Sequence, residues 1–170
     1  MKSIFLLVCI LVLSTTSFAQ TRSRTTRRGT QSSKTKPTAS QAATEVKTEG
    51  ATRVANQIKN LTTFLYLLGG VAREVEALDA VAKSGQVSPT NERNKAQLKA
   101  SFEDFRVGLD QLEIYFRSTP ELQPYYVKLA GSASGAASAE DQASAGHFIQ
   151  AGRTLIGVVG RLADVLVAMR

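Results

Sequence analysis

The chain has 170 residues, of which 43% are apolar, 21% charged and 6% aromatic, with one Cys, one His and no Trp. That length suits one domain better than two, and the balance excludes a disulfide scaffold, a multi-span membrane protein and a wholly disordered chain. The formal net charge is +7, and it is unevenly placed along the chain.

Met1-Lys2-Ser3 gives a short positive start, and Ile4 to Leu13 is an unbroken run of ten apolar residues. Ser17-Phe18-Ala19 then places small residues at the two positions a signal peptidase reads. The pattern is that of a secretory signal peptide over residues 1–19, cleaved after Ala19. An anchor is the alternative, but ten helical residues span only about 15 Å, against about 30 Å of hydrocarbon. The sole cysteine, Cys9, lies inside this run, so the expected mature chain has no thiol and no disulfide. Export to the periplasm or the medium is expected, with a bacterial envelope favoured over a small disulfide-stapled extracellular domain. After cleavage no transmembrane anchor is expected.

Residues 20–44 contain Arg22, Arg24, Arg27, Arg28, Lys34 and Lys36 and no acid. The remainder is Thr, Ser, Gln, Ala, Gly and one Pro, which cannot bury against a core, so a disordered basic tail is expected. From Glu45 to Arg170 the basic and acidic residues balance at fourteen each. A cationic arm of this kind attracts anionic polymers or membrane surfaces. It has no aromatic residue to stack on bases, so sequence-specific nucleic-acid recognition is not indicated. A plain solvated linker is the alternative for the same segment.

The rest, 45–170, reads as helical. Val54, Ile58, Leu61, Leu65, Leu68, Ala72 and Val75 step 4-3-4-3-4-3, a coiled-coil-like seam. Phe64, Leu67, Val71, Leu78 and Val81 widen that stripe enough for more than one partner helix. Gly69-Gly70 is a candidate kink or close-approach point, and Gly85 a candidate C-terminal cap. Ser88-Pro89 opens a second helix, with Leu98, Phe102, Phe105, Leu109, Leu112 and Phe116 as its seam. Lys99 with Glu103, and Glu113 with Arg117, are spaced to pair on its outer face. Thr119-Pro120 opens a shorter helix with Leu122, Tyr125, Tyr126 and Leu129 as its apolar set.

Residues 131–138 read as a loop or a poorly formed extension. Ser138 and Asp141 resemble a capping box for a last helix over Ala139–Met169. Phe148, Ala151, Leu155, Val158, Leu162, Val165 and Met169 form its seam, and Gly152, Gly157 and Gly160 are candidate close-packing positions. No segment alternates with period two. The expected fold is all-α: an up-and-down antiparallel bundle of three long helices plus one short one.

Motifs for chemistry are absent. There is no C-x-x-C-H, no paired Glu-x-x-His, no G-x-S-x-G and no phosphate-binding Gly loop. His147 alone makes a poor metal site, and the carboxylate pairs Glu74/Glu76 and Glu103/Asp104 sit among basic neighbours. No catalytic residue, cofactor or metal is therefore assigned. The expected function is an exported, non-enzymatic interaction protein that binds an unknown protein partner or itself. Its basic arm would contact anionic polymers or surfaces, and Tyr125 and Tyr126 are candidates for a partner or ligand surface. The alternative is a carrier holding an apolar ligand among Phe64, Phe102, Phe105 and Phe148.

Overall fold

The computed structural model describes residues 39–82 and 89–170, and among them it contains five α-helices, one 3-10 turn and no strand. The helices are α1 (Ala39–Ala82), α2 (Pro89–Ser118), α3 (Gln123–Leu129), α4 (Ser132–Ser144) and α5 (Phe148–Ala168), with the 3-10 turn at Pro120–Leu122. The signal-peptide residues 1–19, the basic positions Arg22 to Lys36, and Gly85 and Ser88 lie outside the described residues.

Four helices form a closed ring. The two longest, α1 and α2, pack side by side; α5 lies on the other flank of α1, and α4 closes the ring between α2 and α5. All neighbours run antiparallel. Along the α1–α5 seam, Gly50 faces Met169, Leu68 faces Gly152, and Glu76 reaches Ile149. Along α2–α4, Glu113 meets Ala133, Arg106 meets Glu140, and Lys99 meets Ser144. The 3-10 turn and α3 close one end of the barrel of helices, against α1, α2 and α5.

The seams occupy the centre. Val54, Leu61, Leu68, Ala72 and Val75 are buried on α1, as are Phe102, Leu109, Leu112 and Phe116 on α2. Phe148, Ala151, Leu155, Val158, Leu162, Val165 and Met169 are all buried from α5. Leu122 and Leu129 carry the end cap inward, and Leu122 is held against α1 because Gly50 has no Cβ; one there would lie 2.9 Å from its Cδ2. Each fully buried Leu or Phe removes enough apolar area to contribute about 2–3 kcal/mol before entropy is charged.

Several expectations are corrected. Helix α1 starts at Ala39, six residues inside the segment assigned to the tail. Its exposed threonines turn back on the helix: Thr44, Thr48 and Thr52 each donate their hydroxyl, at 2.9 Å, to the carbonyl four residues earlier. The last helix is not one element but two. Residues 131–138 are not a loop, because α4 occupies 132–144 and turns back at Gly146, whose φ is +87°. His147 N–H donates to Gln142 O and Gly146 N–H to Ala143 O, the paired bonds of a Schellman stop. The bundle thus has four lengthwise members, with α3 as an end cap and not the fourth member.

The proposed capping box is also absent. Ser138 lies inside α4, and its hydroxyl bonds back to Ser134 O. On α2, Lys99 reaches Ser144 O and Glu113 accepts the Ala133 amide, so neither forms the expected i,i+4 pair. Of the glycines, Gly152 does admit a neighbour, since a Cβ there would sit 3.0 Å from Leu68 Cδ2. A Cβ on Gly69, Gly70, Gly157 or Gly160 would meet nothing within 4 Å, so these four do not serve packing among the described residues.

Candidate functional site

Of the carboxylate pairs Glu74/Glu76 and Glu103/Asp104, Glu76 has a structural role, and Glu113 of α2 has a matching one. Neither α4 nor α5 has a side-chain cap from its own N-cap residue. Glu113 of α2 instead accepts the Ala133 amide of α4 at 2.9 Å, and Glu76 of α1 accepts the Ile149 amide of α5 at 2.8 Å. A carboxylate at a helix start satisfies an orphan N–H and opposes the positive end of the dipole. These two residues therefore tie the two C-terminal helices to the two N-terminal ones.

A second polar cluster sits where α1 ends and α2 begins. Lys95 donates to Asp79 at 2.9 Å and to Glu92 at 3.1 Å, and Asn91 Nδ2 donates to Asp79 at 3.1 Å. The hydrogen bonds that Lys95 donates to Asp79 and Glu92 hold its pKa above the ordinary lysine value, against a smaller opposing effect of burial. One cation is shared by two carboxylates, and Asp79 accepts from both Lys95 and Asn91. Nothing in the cluster is arranged as an acid–base pair facing a cleft.

Tyr125 and Tyr126, the sequence candidates for a partner surface, are half-buried and packed against the core at the α3 end. The Lys47 ammonium stands 5.7 Å from the Tyr125 ring centre, and on the same helix the Arg53 guanidinium lies 4.0 Å over Tyr115. Cations of α1 thus clamp aromatic rings contributed by α2 and α3. The aromatic set named for a ligand cavity divides. Phe64 meets Phe102 edge-on at 5.2 Å and Phe105 at 5.0 Å, while Phe148 is buried at the start of α5. His147 is exposed immediately before α5, and among the described residues no group of three metal-ligating side chains exists.

The feature that sequence reasoning missed is a shallow groove between α1 and α5. It holds about 180 Å³ and is lined by Leu65, Gly69, Arg73, Ile149, Arg153 and Ile156 over a floor of Leu68 and Phe148. Ile156 at its rim is 60% accessible, and elsewhere on the two flanking helices Tyr66 is 84% and Val167 65% accessible. Arg73 and Arg153 make no ion pair among the described residues. The spacing of Ile149, Arg153, Ile156, Gly160, Ala163 and Val167, again 4-3-4-3-4, is a second seam on α5 beside the buried one. That second seam was the available signal.

No protein-family model, curated protein or solved structure matches the chain. Among the described residues no helix is long and apolar enough to cross a membrane. The fold and its surface therefore carry the functional argument alone.

Proposed function

We propose that the protein is an exported, non-enzymatic helical-bundle interaction protein that uses its basic arm to associate with anionic polymers or surfaces of the cell envelope. The observation that carries this reading is charge segregation: six cations and no acid between residues 20 and 44, against an exact balance beyond them. An arm of that composition gains about 1 kcal/mol per cation near an anionic surface, and the gain falls with salt. The bundle has the role of a folded body that the arm brings to the surface. Carboxylates spent on helix starts and on Lys95 support a binding role over a catalytic one.

The test is retention on a polyanionic matrix as salt is raised. Replacing Arg22, Arg24, Arg27 and Arg28 by Gln is expected to move elution to much lower salt while leaving helicity unchanged. Elution at the same salt would refute the arm as the contact.

A further inference from the structure

Three features mark the α1–α5 face. The first is apolar exposure: Tyr66, Ile156 and Val167 are each at least 60% accessible, on the two helices that flank the groove. The second is charge. Lys59, Tyr66 and Arg73 are seven apart and so share one line of α1, and Arg153 stands in the α5 line beside Ile156. None of the three cations forms an ion pair among the described residues. The third is the scarcity of acids: the Glu76 carboxylate is taken by the Ile149 amide, and only Asp164 borders the face, beyond Ala163.

We infer that this face is the folded domain's own contact with an anionic lipid bilayer. Cations placed among exposed apolar side chains match lipid phosphates above a hydrocarbon boundary, and a Tyr suits the headgroup level between them. A soluble polyanion would engage Lys59, Arg73 and Arg153 but leave Ile156 and Val167 in water. A second copy laid on the same face would set these cations against their own kind. The basic positions Arg22 to Lys36, which precede α1 in the chain, carry the same sign. The inference rests on the anionic-surface reading above, and it assigns the surface as lipid and the face as α1–α5.

The chain has no Trp, so a single introduced one reports its own surroundings. Two full-chain variants are compared on vesicles of phosphatidylglycerol with phosphatidylcholine: Ile156→Trp on the face, and Val107→Trp on α2 as a control. Emission is expected to shift to shorter wavelength for Ile156→Trp and to stay fixed for Val107→Trp. Adding Arg73→Gln and Arg153→Gln to the first variant is expected to weaken its partitioning about 25-fold, or about fivefold per cation. Helicity measured on each variant confirms that the bundle is kept.

Adsorption to vesicles without a shift in the Ile156→Trp chain overturns the face while leaving the arm reading standing. No adsorption at all overturns both. A shift produced equally by soluble polyglutamate overturns lipid as the partner. A blue, concentration-dependent emission in buffer alone shows that a second copy covers the face, and this too overturns the proposal.

Discussion

Replacing Gly146 by Ala tests how one residue divides the C-terminal third of the chain into two helices. Gly146 has φ +87°, and a Cβ placed there would meet only Asp79 Oδ2, at 3.9 Å, which is ordinary contact. Overlap therefore contributes nothing, and the cost is conformational: about 1–2 kcal/mol for a non-glycine residue in the left-handed region. The same substitution favours a continuous α4–α5 helix by about 1 kcal/mol, because Ala is the better helix former. The turn thus loses about 2–3 kcal/mol relative to a fused helix. In one chain the fused helix cannot return α5 to α1, so it completes a bundle only by exchanging α5 with a second copy. Urea unfolding followed by circular dichroism should show a lower midpoint for Gly146→Ala. Light scattering coupled to size exclusion should show a dimer fraction that grows with concentration. Gly146→Asn, which tolerates the left-handed region, should recover most of the loss. Equal stability of Gly146→Ala and the parent chain would refute the turn geometry and restore the single-helix expectation.

Other substitutions separate the interactions by sign and size. Gly135→Ala should destabilise by about 1–3 kcal/mol, because the added Cβ would lie 2.8 Å from Val158 Cγ2 on the opposite helix, and Val158→Ala should relieve it. Gly157→Ala and Gly160→Ala point into open space and should each stabilise by up to about 1 kcal/mol in thermal unfolding. Phe102→Ala removes a fully buried ring in edge-on contact with Phe64, and should cost about 3–5 kcal/mol by urea titration. Glu76→Ala strips the Ile149 amide of its acceptor and should cost about 1–2 kcal/mol, with Glu76→Gln losing less. For Lys95 the folded-state pKa lies above the ordinary 10.5, so its contribution is full below that pH and declines as pH rises through the folded value. The stability gap between the parent chain and Lys95→Met should accordingly be constant near neutrality and narrow in strong alkali.

The buried seams of α1, α2 and α5 were legible because large apolar residues recur there against polar neighbours. Every position of the Phe148–Met169 seam is buried, as the 3-4 spacing predicts. Helix α4 was not legible, although Ser132, Ala136, Ala139 and Ala143 follow the same 4-3-4 spacing and are all buried. Small side chains give that spacing no contrast with the Ala, Ser and Gly around it. The α4–α5 stop was hidden for a related reason, since a glycine within an Ala-rich run reads as a weak helix position until its φ is known. The candidate site fared differently at each level. The half-burial of Tyr125 and Tyr126 does not favour them over other surfaces, whereas the exposed α5 seam became visible only once the neighbouring helices fixed which of its two seams faces inward.

The order in which the ring closes has a consequence for how the chain is made. Helix α1 lies against α5, so Leu68 and Gly152, more than eighty positions apart, must meet before the long seam of α1 is covered on that side. Contacts of such separation form late, and during synthesis they wait for the distant segment to emerge. A nascent chain ending before Phe148 leaves Val54 to Val75 without half of its cover, and should remain unfolded and open to proteases. Under the export proposed above, that delay would keep the polypeptide in a passable state until α5 has been synthesised.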